Sequence, residues 1–346
     1  MYRFSCDYSE GCHPRILKAL AQTNLEQTAG YGKDPYCDRA RDLLRQAAQA
    51  PDADVHFLVG GTQANTTVIA SLLRPHQGVL SAETGHIHVH ESGAIESTGH
   101  KILPLPSSDG KITAAQVEEA INAHYADPNY EHTVQPAMVY ISHPTESGTL
   151  YSKAELTALS KVCRSYHVPL YVDGARLAYG LTAASADLTL PDLAQLCDIL
   201  CVGGTKCGAL FGEAVMIFSS QWKGDFRYMI KQRGGMLAKG RLLGLQFLTL
   251  FTDGLYFEAA ANANRLADKI RDALKKNGYP LLYGAAANQV FTQVSDSALE
   301  FLSSKYAFDL WGKPDADHTI IRICTSWATD EDAVGDLIIS LQAAAR

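Results

Sequence analysis

Lys206 closes the segment Asp198-Ile199-Leu200-Cys201-Val202-Gly203-Gly204-Thr205-Lys206, an apolar run that passes through small residues to a single amine. A lone lysine is ordinarily a solvated surface charge. This one stands between an apolar strand and a second apolar run, Cys207 to Phe211, which favours a partly buried amine with a lowered pKa, suited to attack on a carbonyl. Asp173 ends another apolar strand in Tyr171-Val172-Asp173-Gly174-Ala175-Arg176. Alone, a strand-end aspartate is as often a helix cap. On a parallel strand beside Lys206 it becomes a carboxylate partner for a protonated ring nitrogen.

Gly60-Gly61-Thr62-Gln63-Ala64-Asn65 joins a strand to a helix. The glycines let the backbone approach an anion, Thr62 adds a hydroxyl, and the helix start adds its N–H groups and dipole. The segment is neither GxGxxG nor a P-loop, which argues against a dinucleotide or a nucleoside triphosphate. An amine, a ring-nitrogen carboxylate and a phosphate cradle are what pyridoxal 5'-phosphate requires, so that is the expected cofactor. His86-x-His88-x-His90-Glu91 has two readings. Extended, its three histidines would share one face, as in a metal hydrolase. A single histidine, His86, stacked on the cofactor ring needs fewer assumptions, and no metal is expected. Arg322, inside the apolar strand Ile320-Ile321-Arg322-Ile323-Cys324, demands an anion, either a substrate carboxylate or an internal salt bridge.

The elements around these residues set the fold. Strands are expected at 55–59, 100–105, 137–142, 169–172, 199–202 and 215–218, with helices at 62–73, 113–125 and 152–167. Capping boxes open two of the helices, Thr113-x-x-Gln116 and Ser152-x-x-Glu155. Apolar strands separated by helices predict an α/β fold, a mostly parallel sheet covered on both faces, with ligands beyond the carboxyl ends of its strands. After about residue 250 the pattern changes to a long helix at 258–276 stopped by Asn277-Gly278, strands at 290–294 and 319–324, and a last helix capped by Thr329-x-x-Asp332. The expected division is a large domain with an N-terminal arm over residues 1–250 and a smaller α+β C-terminal domain over 251–346.

The net charge of −7, without a lysine–arginine block, argues against nucleic acid or an anionic membrane as partner. No apolar run reaches the roughly 20 residues of a membrane span, and the eight cysteines form no CxxC pair. Reduced thiols and the lack of a signal sequence at Met1 lead us to expect a cytoplasmic protein.

These residues give the sequence a resemblance to the low-specificity L-threonine aldolases, in the β-eliminating-lyase group of fold-type-I pyridoxal-phosphate enzymes. It extends from Phe4-Ser5-Cys6-Asp7-Tyr8 to the final helix, and its most specific parts are Tyr31-Gly32-Lys33-Asp34, Gly60–Asn65, His86 with Glu91, Asp173–Arg176 and Gly203–Lys206. The resemblance implies that Lys206 carries the cofactor as a Schiff base and that Asp173 pairs with the pyridine nitrogen. His86 would stack on the ring, Gly61 and Thr62 would cradle the phosphate, and Arg176 would lie near the phenolic oxygen. Arg322, with a serine that falls at Ser5 or Cys6, would hold the substrate carboxylate. Tyr31 would line the active site as a catalytic and substrate-binding residue, and Lys231-Gln232-Arg233 would reach a neighbouring subunit's phosphate. A homotetramer, a dimer of dimers, is implied, as is retro-aldol cleavage of L-threonine or L-allo-threonine to glycine and acetaldehyde with His86 or a bound water as base. A pyridoxal-phosphate β-eliminase or racemase would share every cofactor residue. No role follows for Cys207, His88 or His90.

Overall fold

The computed structural model describes residues 1–345. Its centre is a seven-stranded sheet built from β1 (Asp54–Leu58), β2 (Gln77–Ala82), β3 (Lys101–Leu105), β4 (Gln135–Ser142), β5 (Leu170–Gly174), β6 (Ile199–Gly203) and β7 (Glu213–Ile217). The spatial order is β1-β7-β6-β5-β4-β2-β3. The pairs β3–β2, β2–β4, β4–β5 and β5–β6 are parallel, whereas β7 runs antiparallel to both β6 and β1.

Side chains alternate between two cores. Val139, Ile141, Val172, Leu200, Val202 and Met216 pack on one face, and Met138, Tyr140, Tyr171, Ile199, Cys201 and Val215 on the other. Both faces are buried, which is why these strands read as continuous apolar runs. Each fully buried Val, Leu or Ile contributes about 1.5–3 kcal/mol, so burial on both faces of this sheet contributes much of what holds the large domain together. Helices at Ala114–Ala126 and Lys153–Ser165 carry the expected capping boxes from Thr113 and Ser152.

Sequence reasoning missed β2. Its run Gly78-Val79-Leu80-Ser81-Ala82 is rich in small residues and offers little β-propensity, yet all five are buried between β3 and β4. The reversal of β7 was also not foreseen.

A second sheet of three antiparallel strands holds β8 (Gln289–Ser295), β9 (Asp309–Gly312) and β10 (His318–Cys324), in the order β9-β10-β8. Its core joins Val290, Val294, Ile321 and Ile323 to Leu266, Ile270 and Leu274 of the helix Leu255–Lys276, and includes Phe4 from the N-terminal segment. That helix ends as expected, with Asn277 as cap and Gly278 at φ +80°. The last helix, Glu331–Ala344, corrects one expectation. Its cap is Asp330, whose carboxylate accepts the Asp332 N–H at 2.8 Å. Thr329 instead accepts the Ser326 N–H at 2.7 Å, because the chain makes a tight turn there before the helix begins.

Candidate active site

The register of the large sheet brings the chemistry to one edge. Ser142 pairs with Asp173, and Asp173 with Cys201, so the carboxyl ends of β4, β5 and β6 lie side by side. Because β7 runs backwards, its first residue, Glu213, pairs with Gly203 and Leu58 at this same edge. Gly203 and Gly204 have a packing reason to be glycine: a Cβ on them would collide with the Ala175 and Gly212 carbonyls.

A cleft with two lobes opens over this edge. The inner lobe, about 350 Å³, is lined by Gly60, Gly61, Thr62, Asp173, Lys206 and Glu213, among others. The outer lobe, about 770 Å³, is lined by Ser5, Cys6, His90, Asp309, Trp311 and Arg322. Tyr8, His86, Glu146, Arg176 and Lys206 line both. Lys206, Asp173, Gly61, Thr62, His86, Arg176, Ser5 and Arg322 are thus brought together.

Burial, then the nearby Arg176 charge, lower the Lys206 pKa; Asp7, Asp173 and Glu213 oppose that shift without cancelling it. The amine is therefore more available as the neutral nucleophile than a surface lysine would be. Burial also raises Glu213 to about 7, although its carboxylate accepts the Gly204 N–H at 2.9 Å.

Asp173 is 4% exposed and sits in a dense network. Its Oδ1 accepts the Ala175 N–H at 2.9 Å, and its Oδ2 accepts from Tyr140 at 2.7 Å and Asn65 at 3.1 Å. Asn65 also donates to Glu91 at 2.7 Å and accepts from Tyr171 at 2.6 Å. Glu91 Oε1 in turn meets His86 Nδ1 at 2.7 Å. Burial disfavours protonation of His86, but this hydrogen bond and the charges of Asp173 and Glu91 outweigh it and raise the pKa. Oδ1 of Asp173 keeps a lone pair for one more donor.

Arg176 forms a buried two-point pair with Asp7, at 2.7 and 3.0 Å, and Asn288 donates to Asp7 at 2.8 Å. The arm, the large sheet and the C-terminal sheet meet in this cluster. Burial opposes ionisation of Asp7, but Arg176 and Lys206 outweigh it and hold the carboxyl below its ordinary range. Arg322 pairs with Asp309 at 2.7 Å, lies over the Trp311 ring and reaches the Ser5 carbonyl at 3.4 Å, while its buried Nε has no partner. The internal salt bridge considered from sequence therefore exists, with one donor left over.

The residues present fit pyridoxal phosphate on structural grounds. The helix Gly61–Leu72 begins at Gly60 without a side-chain cap, unlike the helices capped by Thr113, Ser152 and Thr189. A Cβ at Gly60 or Gly61 would meet only open space. An uncapped helix start facing a cavity is an anion site in waiting.

Other residues depart from expectation. His86–Val89 is one helical turn, so the alternating histidines do not share an extended face; His86 and His90 approach with ring centroids 5.6 Å apart, and His88 points to solvent. Tyr31 does not line either lobe. It adopts φ 60°, is 47% exposed, and lies with Arg227 and Met236, the Lys231 ammonium 5.0 Å from its ring centroid. Lys231 belongs to the short helix Phe226–Gln232 rather than a loop, and Arg233 caps it with a buried Nε that has no partner. Within one chain this group is separate from Lys206. Cys207 is buried, which pushes its thiol up to about 12, so it is a packing residue. Asp7, Tyr8, Asn65, Tyr140, Glu146, Glu213 and Asp309 were not singled out from sequence as site residues. Asp7 and Tyr8, beside Ser5, Asn65, in the glycine loop, and Glu146, just beyond the strand expected at 137–142, lay in segments where the sequence already pointed to ligand chemistry.

The β-eliminating lyase family model matches residues 7–297. A low specificity L-threonine aldolase of a Pseudomonas species is 33% identical over 99% of this chain and 97% of its own length. A threonine aldolase of Leishmania major superposes with a TM-score of 0.97 at 40% identity, covering 100% of both chains. A Thermus thermophilus aspartate aminotransferase shares the fold, with a TM-score of 0.72 at 14% identity over 99% of this chain and 91% of its own.

Proposed function

The chain belongs to the β-eliminating lyase family, among its low-specificity L-threonine aldolases, and from that premise we propose that it is a pyridoxal-phosphate-dependent L-threonine aldolase, cleaving L-threonine and L-allo-threonine to glycine and acetaldehyde. The observation that carries this reading is the convergence of Lys206, Asp173 and the uncapped helix start at Gly61–Thr62 on one lobe, with Arg322 across the mouth in the other.

Pyridoxal phosphate supplies a carbonyl for amine exchange and a protonated ring that accepts the electrons of the breaking Cα–Cβ bond. Lys206 Nζ provides the amine that anchors it, in a setting that lowers the lysine pKa. Asp173 keeps the proton on the ring nitrogen, its carboxylate fixed by Tyr140, Asn65 and the Ala175 N–H. His86, oriented through Glu91, would cover the ring face. The first N–H groups of Gly61–Leu72 and the Thr62 hydroxyl receive the phosphate. Arg176, held by Asp7, would lie near the phenolic oxygen. Arg322 and Ser5 would take the substrate carboxylate and so would orient the amino acid against the cofactor.

The remaining parts of the reading concern assembly. Residues 1–250 form the large cofactor-holding domain with its arm and residues 251–346 the small domain, a division supported by the separate core around β8–β10. The protein is a homotetramer, a dimer of dimers, in which Tyr31, Lys231 and Arg233 complete a neighbouring copy's site. Tyr228, 77% exposed beside Lys231, supports such a contact. The location is cytoplasmic, supported by cysteines that are all unpaired among the described residues.

The assay that tests the activity offers L-threonine, L-allo-threonine and L-serine to the purified enzyme. Acetaldehyde with equimolar glycine, released faster than pyruvate from serine, is the expected outcome. Pyruvate without acetaldehyde would transfer the assignment to an eliminase.

A further inference from the structure

We propose that Glu146 is a catalytic residue of the cleavage, the group that takes the proton from the substrate's β-hydroxyl; this rests on reading the site as that of an L-threonine aldolase. Glu146 follows β4 and lines both lobes of the cleft together with Lys206 and His86. Its Oε1 is fixed by the His86 backbone N–H at 2.9 Å and the Ser142 hydroxyl at 2.6 Å. Its Oε2 is buried and has no hydrogen-bond partner in the chain. A buried carboxylate oxygen left open this way costs about 1–3 kcal/mol or more, so it calls for a ligand donor.

The rival acceptors are otherwise engaged. Asp173 receives three hydrogen bonds from Ala175, Asn65 and Tyr140. Asp309 is paired with Arg322 and accepts from Trp311 at 2.8 Å. Glu213 lines the inner lobe only. Glu91 also has an unpartnered oxygen but lines neither lobe. His86 Nδ1 is committed to Glu91, and that hydrogen bond with the neighbouring carboxylates raises the His86 pKa. Burial raises the Glu146 pKa, bringing the carboxylate closer to the basicity that general-base catalysis near neutral pH needs. Arg322, Lys206 and Glu146 line the same lobe, so a substrate reaching from Arg322 to Lys206 would occupy the space that Glu146 borders.

The proposed step is balanced. The β-oxygen's O–H bond breaks and its proton passes to Glu146 Oε2. The O–H electron pair becomes the second bond of the aldehyde carbonyl, and the Cα–Cβ pair is left at Cα. One proton added at Cα gives glycine, and Glu146 releases the proton it took. No oxidant or reductant enters.

The test is the Glu146→Gln holoenzyme, since glutamine keeps an oxygen for the His86 N–H and the Ser142 hydroxyl but removes the base. Acetaldehyde release from both threonine diastereomers should fall about 10²–10⁴-fold. Glycine binding, read from the visible band, and exchange of the glycine Cα–H for deuterium, read by NMR, should stay within about threefold of wild type, because neither involves a β-hydroxyl. Glu146→Asp should recover part of the cleavage rate, and the acid limb of the wild-type kcat/KM profile should vanish in the glutamine variant. Cleavage at near wild-type rate, or exchange lost in step with cleavage, overturns the proposal. A wild-type enzyme that yields no acetaldehyde overturns the underlying reading instead, and the wild-type control makes the two failures distinct.

Discussion

The inner wall of the cleft and its outer rim meet at Lys206 but are built differently. On the wall, Asp173, Asn65, Tyr140, Tyr171, Glu91 and His86 form one chain of hydrogen bonds between 2.6 and 3.1 Å, planted on buried strands. On the rim, Arg322 keeps a donor without a partner, its counter-ion Asp309 is 40% exposed, and Leu310 beside it is 62% exposed on an edge strand. The wall's groups are fixed by partners within their own chain, as suits a permanently held cofactor. The rim can exchange partners, as suits a substrate that must enter and leave.

That contrast predicts different losses on the two sides. Asp173→Ala should keep the cofactor yet lower kcat by about 10²–10³-fold, because the ring nitrogen loses the partner that keeps it electron-poor. Steady-state kinetics at saturating cofactor checks it, and a near-normal kcat would reduce Asp173 to a structural cap. Arg322→Ala should act on binding, raising KM for amino acids by an amount equivalent to about 2–5 kcal/mol while cofactor uptake is unchanged. Unfolding without a KM effect would make Arg322 part of the scaffold and erase the contrast.

The smallest expected effect is on stability in mild acid. Burial lowers His56 and His143 to about 4 from an ordinary value of 6.5. Their folded-state pKa values are depressed, so the stability they contribute is complete above 6.5 and is lost as pH falls toward 4. Glu213, raised to about 7, acts in the opposite sense, since its stabilising protonated form is lost as pH rises through 7. Of the groups with large shifts near this range, the two histidines outnumber Glu213, so stability is expected to be lower at pH 5 than at pH 7. Denaturant unfolding at the two pH values reads it directly, and a gain in stability at pH 5 would contradict the burial argument.

Much of the wall was legible in the sequence because its residues end apolar runs. Lys206 and Asp173 could be placed at strand ends from local pattern alone, and the parallel arrangement then put them side by side. Glu213 could not, because only the reversal of β7 delivers it to that edge, and strand direction is set by long-range pairing. Glu146 escaped for a related reason: its value lies in a contact with the His86 N–H, 60 residues away. The histidine alternation at 86, 88 and 90 suggested an extended stretch, but the Gly85 turn starts a helical one. The rim pairing of Arg322 with Asp309 was seen only as a need for some anion, since the partner sits on a short, exposed strand with weak sequence signal.

The measurement that tests the account most directly is borohydride reduction of the purified holoprotein followed by peptide mapping. The protein should be yellow, its visible band should be lost on reduction, and the cofactor should be found fixed to Lys206. Label recovered on a different lysine, or a colourless protein that takes up no pyridoxal phosphate, would contradict it.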